Sequence, residues 1–194
     1  MKHIKFCSIL FSVFFINLQA LTNEIKEFQL EGISLYDSAL NHFSKNEIEN
    51  NIKDWYRDKS YTTAAISYHP SFKQYEEIQI SFKTGDSSYT IVDVSGLVEK
   101  NIKECIVELK NTESSLNRMF VNLKKRKITT YEHAIDKTGE SKVTDVWWKF
   151  KNGDLILAAC YDWSQKGKFK RYKDDFRVTI SNKEFDKFLS NNPY

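Results

Sequence analysis

Proline is almost missing from this chain, with Pro70 and Pro193 its two instances in 194 residues, and glycine is held to six positions. No Gly/Ser/Pro-rich linker divides it, and no repeat at solenoid period is visible, so tandem arrays are set aside. Cysteine occurs three times, at Cys7, Cys105 and Cys160, without C-x-x-C or H-x-x-H spacing, which falls short of a metal-ligand set. G-x-S-x-G, H-E-x-x-H, G-x-x-x-x-G-K and G-x-G-x-x-G are all missing, and no cofactor is implied. No N-x-[S/T] acceptor occurs, and lysine far outnumbers arginine.

What is present begins with MKHIKFCSILFSVFFINLQA. Lys2, His3 and Lys5 form a positive n-region, Phe6 to Leu18 an apolar run, and Ala20 a small residue at a cleavage position. Residues 1–20 therefore read as a signal peptide cut after Ala20, and an uncleaved anchor is the alternative. The run is shorter than the roughly 20 apolar residues of a stable span, and no second run of that length follows. Lys5 and Phe6 precede Cys7 where a lipoprotein cysteine needs small residues, which argues against lipid attachment. The expected location is the periplasm or beyond, and the missing glycosylation acceptor fits a bacterial envelope.

Without its leader the chain loses Lys2 and Lys5, so the formal charge of +3 falls to 27 basic against 26 acidic side chains. That balance does not mark a nucleic-acid binder. The charge is unevenly placed: residues 21–99 carry 7 basic and 13 acidic side chains, residues 100–194 carry 20 and 13. Such asymmetry suits an anion-binding surface, mutual docking of the halves, or merely solvated faces.

Three capping boxes, Ser34-x-x-Asp37, Ser44-x-x-Glu47 and Ser181-x-x-Glu184, predict helices near 35–43, 45–56 and 182–189. Ile78, Ile80 and Phe82 alternate with polar neighbours as a half-buried strand does, TGDSS is turn chemistry, and SYTIVDVSGLV reads as the returning strand. Ile102, Cys105, Ile106, Leu109, Leu116 and Phe120 recur at helical spacing and predict a helix over 101–120. KITTYEHAI reads as a further strand. The whole predicts one α+β domain over 21–194. Its antiparallel sheet carries one long helix packed on it and short helices at both ends.

TDVWWKFKNGDLILAACYDW is the strongest hairpin signal. An Asn152-Gly153 type I′ turn pairs Lys151 with Asp154, and so Trp148 with Leu157 and Asp145 with Cys160. Both faces are then apolar, which places the hairpin mid-sheet and makes its tryptophans core material. Cys160 has no adjacent histidine to make it a nucleophile. Export removes Cys7 and leaves Cys105 and Cys160 in an oxidising compartment, one on a helix stripe and one on a strand, so a disulfide between them is expected.

Remaining candidates are few. GDSS at 85–88 resembles an esterase block, yet it sits between two strands as ordinary turn composition. His42, His69 and His133 are scattered, although a His133–Asp136 pairing stays open. Lys124, Lys125, Arg126 and Lys127 form one basic cluster, and Lys168, Lys170, Arg171 and Lys173 another with Phe169 and Tyr172 between them. These are the candidate anion contacts, with Tyr161 and Trp163 the nearest aromatics.

FQLEGISLYDSALNHFSKNEI and DKTGESKVTDVWWKFKNGDLILAACYDWS resemble segments of small exported proteins of AT-rich alphaproteobacteria. Residues 28–40 also resemble, faintly, the helix-opening segment of small outer-membrane assembly lipoproteins. Neither resemblance implies a catalytic residue. The expectation is an envelope module that binds or supports without catalysis. The alternatives are a hydrolase with a dispersed site and a peripheral binder of anionic lipid or glycan surfaces.

Overall fold

The computed structural model describes residues 25–166, 169 and 171–191. The leader expected at 1–20 lies outside them, as do Lys168 and Lys170. In chain order the elements are α1 (Lys45–Asn50), β1 (Ile52–Lys53), β2 (Tyr61–Ser67), β3 (Glu77–Lys83), β4 (Asp93–Glu99) and α2 (Ile102–Met119). There follow β5 (Lys124–Lys125), β6 (Thr129–Glu132), β7 (Lys142–Lys149), β8 (Leu155–Asp162), β9 (Asp175–Ser181) and α3 (Lys183–Asn191). The architecture is mixed α and β around one large antiparallel sheet. Its order is β1-β2-β3-β4-β9-β8-β7, and both β5 and β6 pair with the outer edge of β7. The last strand thus lies mid-sheet, joining β4 to β8.

Period-two alternation sorts each strand onto two faces. One face carries Ala64, Ile66, Ile78, Ile80, Val94, Val178, Ile180, Ile156, Ala158, Val146 and Trp148, all buried. Against it lie Cys105, Leu109 and Leu116 of α2, together with Ile25, Leu30, Ile33, Leu35 and Phe43 from the coil ahead of α1. Helix α2 opens at Asn101, whose side chain accepts from the Glu104 N–H. Near its end, Asn117 accepts from the Trp148 indole N–H at 3.0 Å, so the buried tryptophan keeps a partner for its one polar atom. Gly96 has a separate reason: a Cβ there would stand 2.6 Å from the ring of Tyr75, which covers that part of the sheet.

The hairpin differs from its sequence reading by one residue. Only Gly153 (φ 96°) takes a positive φ. Its N–H donates to Phe150 O, and the Phe150 N–H donates to Asp154 O at 2.8 Å. This is a three-residue loop with a glycine bulge rather than a type I′ turn. Trp148 accordingly faces Ile156, and Thr144 faces Cys160. A one-residue slip exchanges the faces of one strand against the other. Cys160 therefore lies on the core face beneath α2, bonded to Cys105 as a disulfide. Asp154 supplies the physical reason for the longer loop. It is buried, and its carboxylate accepts from Tyr36 Oη, Asn152 Nδ2 and the Lys183 N–H.

The predicted ends need similar correction. The Ser44/Glu47 box forms as read, but α1 stops at Asn50 because Ile52–Lys53 joins β2. No helix spans 35–43. Tyr36 and Ala39 donate to Ile91 O and Tyr89 O while Ile91 donates back to Asp37 O, leaving a single 3₁₀ turn at Ala39–Asn41. Before α3 the cap is Asn182, which accepts from the Phe185 N–H at 2.8 Å, because Ser181 is held in β9.

Candidate functional site

The second face of the sheet is chemically unlike the first. It presents Thr63, Ser81, Asp93, Ser95, Thr179 and Ser181, all buried, with Arg177, Asp145 and Trp147 further across. Hydroxyls pair along it: Thr63 Oγ1 lies 2.7 Å from Ser81 Oγ, and Ser95 Oγ lies 2.7 Å from Thr179 Oγ1. Helix α3 packs Phe185 and Phe188 beside this stripe, against Tyr56, Tyr61 and Val92. Asp93 is the exception to satisfaction, since its Oδ1 is buried without a partner. Burial pushes its carboxyl up to about 7, and hydrogen bonding from Ser181 and the charge of Arg177 only partly oppose that.

At the β6–β7 edge Asp145 receives Arg126 as an ion pair and the Tyr131 hydroxyl at 2.6 Å. The guanidinium lies over Tyr131 and Trp147, 5.7 and 5.9 Å from the ring centroids. The Tyr131 hydroxyl is held well above its ordinary range, first by burial and then by its bond to Asp145. At the other end of the strands His133 sits 4.6 Å from Trp163 and 5.7 Å from Tyr161, centroid to centroid. Burial, then the charge of Arg177, lowers the imidazole to about 4, so it is neutral at pH 7. Asp136 does not pair with it by hydrogen bonding. That carboxylate accepts the N–H and hydroxyl of both Thr138 and Ser141, which hold it far below the usual range.

The described members of the two basic clusters lie apart. Lys124 pairs across from Lys149 at one end of β7, whereas the second cluster follows Asp162, which pairs with Lys142 at the other end. Lys142 and Lys149 stand seven residue steps apart along the strand, at about 3.3 Å each. Several members are also engaged. Lys125 contacts Glu113 at 2.9 Å, Arg126 holds Asp145, Lys173 contacts Glu99 at 2.6 Å, and Arg171 lies 5.2 Å over Tyr172. Lys127 is exposed, with no ion pair among the described residues. Trp163 is buried and stacked by Phe169 and Tyr172, so it belongs to a small aromatic core.

Two other sequence candidates resolve. In GDSS, Asp86 accepts from the Ser88 and Thr90 N–H groups as a turn brace, its carboxyl lowered by those bonds. His69 has a fuller set of neighbours: Nδ1 lies 2.7 Å from Ser71 Oγ, and Nε2 lies 3.3 Å from Glu47 Oε1. The same Glu47 closes the capping box of α1, and the Ser71 N–H also points at Nδ1. Phe43 and Phe72 border the ring.

A cationic cleft of about 700 Å³ opens where β5, the Phe150–Gly153 turn and the start of α3 meet. Lys124, Lys149, Lys151 and Lys183 line it with Asn122 and Asn152, and no acidic side chain is in the lining. Sequence reading found Lys124 alone of these lysines. The others are single residues spread over three elements, and a search for runs of charge passes over them. A second cleft of about 420 Å³ lies between α2 and β9 and is lined in part by Phe28, Tyr75, Glu108 and Phe176. Among the described residues no group of three His, Cys, Asp or Glu could hold a metal, and no helix is long and apolar enough to cross a membrane. Comparison with family models, with curated proteins and with solved structures finds no match to this chain.

Proposed function

We propose that the chain is an exported, non-catalytic binding module of the bacterial envelope, akin to the small exported alphaproteobacterial proteins it resembles. The observation that carries this reading is the Cys105–Cys160 disulfide, which joins the two cysteines left once residues 1–20 are removed. Disulfides persist in oxidising compartments and are rare in the cytosol. The reading is supported by the state of the groups that could do chemistry. Both thiols are bonded, His133 is neutral among aromatic rings, and Asp136 is fully hydrogen-bonded. Fractionation of the native host, with mass spectrometry of the purified chain, tests it. A periplasmic or secreted species starting at Leu21, with no free thiol and no lipid, is the expected result. An intact leader on a cytosolic species with two free thiols overturns it.

A second reading, a hydrolase using Ser71, His69 and Glu47, has one observation in its favour: hydroxyl, imidazole and carboxylate stand in series. Against it, Ser71 is exposed and none of the three lines either cleft. A fluorophosphonate probe should leave Ser71 unmodified, and labelling lost in Ser71→Ala would restore the hydrolase.

A further inference from the structure

We infer that the lysine-lined cleft is a binding site for a phosphomonoester dianion carried on a small polar group such as a sugar. The inference rests on the binding-module reading and names the ligand class. It begins with an arrangement that folding alone disfavours. Lys124 and Lys149 stand directly opposite each other on antiparallel strands, where like charges repel. Lys151 and Lys183 add two more ammonium groups to the same space. Two acids lie nearby, one facing a lysine of the cleft itself and the other held in the turn. Asp186 contacts Lys149 at 3.9 Å, and Asp154 is buried under three hydrogen bonds. Among the described residues Lys124, Lys151 and Lys183 have no ion pair. Concentrated charge of one sign, in a hollow with low-dielectric walls, draws in a multivalent counter-ion.

The cleft is also built to hold one of these cations in place. Gly153 lets the aliphatic stem of Lys183 lie against the turn, since a Cβ there would stand 2.6 Å from Lys183 Cδ. The Lys183 N–H is fixed by Asp154, which ties the start of α3 to the turn. Two amide side chains, Asn122 and Asn152, are in the lining, the second bonded to Asp154 through both its nitrogen and its oxygen. About 700 Å³ is more room than one phosphate needs and falls within the range of small-molecule sites. Lysine recognises phosphate as a point charge, and three lysines without an ion pair, beside a Lys149 shared with Asp186, favour a dianion over a carboxylate or a phosphodiester.

The test titrates the purified, disulfide-bonded protein with glucose 6-phosphate, inorganic phosphate and glucose, following backbone amide shifts. Flotation with phosphatidylcholine vesicles, with and without phosphatidic acid, is run in parallel. Glucose 6-phosphate should move amides of 149–153 and 183, glucose should move none, and the affinity should fall with salt. Lys149→Gln and Lys183→Gln should each weaken binding about tenfold or more, whereas Lys110→Gln, on the exposed side of α2, should not. Lys124→Gln should weaken binding while leaving the melting temperature unchanged or higher, because it also removes a repulsion. Response to the sugar phosphate alone assigns a soluble ligand, and capture on phosphatidic acid vesicles assigns a lipid headgroup. Silence in every arm, or equal binding by Lys183→Gln and Lys110→Gln, overturns the site. Either outcome is independent of the thiol and fractionation results that test export.

Discussion

Asp93, buried, and His133, half-buried, are two groups whose neutral forms the fold favours, and they act on stability with opposite sign. The Asp93 carboxyl titrates near 7 in the folded chain, above its ordinary value. Its contribution is fully present at low pH and is lost as pH rises toward and through 7, where a buried charge must form. The His133 imidazole titrates near 4, below its ordinary value. Its contribution is present above about 6.5 and is lost as pH falls toward 4. Between pH 4 and 6.5 the two slopes oppose, so the native protein should show a shallow profile there. Asp93→Asn keeps a polar group facing Ser95 and Ser181 but cannot ionise. Urea denaturation of that variant should give stability that rises with pH over this window. It should exceed the native protein at pH 8 by a few kcal/mol, roughly the order of the penalty for an incompletely compensated buried charge. Parallel profiles for the two proteins would show that Asp93 is paired or hydrated.

At the scale of elements, the Phe150–Gly153 turn and α3 behave as one unit. Asp154 receives a tyrosine hydroxyl from the N-terminal coil, an amide from within the turn, and the first N–H of α3. Asp154→Ala leaves the Tyr36 hydroxyl and the Lys183 N–H without that acceptor, which should cost about 2–4 kcal/mol. Amide exchange at the start of α3 should quicken in the same variant, and unchanged protection there would separate helix from turn. Gly153→Ala acts on the same unit by a different route. A side chain at φ 96° is strained and would collide with the stem of Lys183. A loss of about 1–3 kcal/mol is expected. This unit also shows where sequence reading reached its limit. Asn-Gly announced a hairpin at the right place, since local turn chemistry is enough for that. The register was set by Asp154, whose partners lie as far away as Tyr36, and no local pattern contains that information. The boxes at Ser34 and Ser181 fail for the same reason, since Tyr36, Ala39 and Ser181 are held by distant backbone. The box at Ser44 and the start of the long helix near residue 101 were legible because nothing distant competes for them.

For the whole molecule, four strands passed unread, the two-residue β1 and β5 and the full-length β2 and β9, and the last two are needed to complete the sheet. In β2, TTAAIS offers small side chains instead of a bulky alternation, and Thr63 and Ala65 are buried on the polar face. In β9 the alternation of Phe176, Val178 and Ile180 follows a basic segment that draws attention to charge instead of period. Of the described anion contacts named from sequence, Lys124 alone lines the lysine cleft, because the cleft is assembled by β5–β7 pairing and the docking of α3. The cysteine pair was legible from the small number of cysteines and their places on a helix stripe and a strand, and its consequence belongs to this scale. The bond links α2 to β8, closes a loop of 55 residues in sequence separation, and crosses the core between helix and sheet. By the chain-entropy account such a loop contributes roughly 4 kcal/mol. Replacing both cysteines by alanine also removes two fully buried sulfurs, adding a packing loss in the same direction. The double variant should therefore unfold at a clearly lower urea concentration than the oxidised protein, as should the native protein under strong reductant. The denaturant slope should grow in both cases, because the unlinked chain exposes more surface when unfolded. If the oxidised and reduced proteins share one midpoint and one slope, the linkage holds no part of the fold's stability.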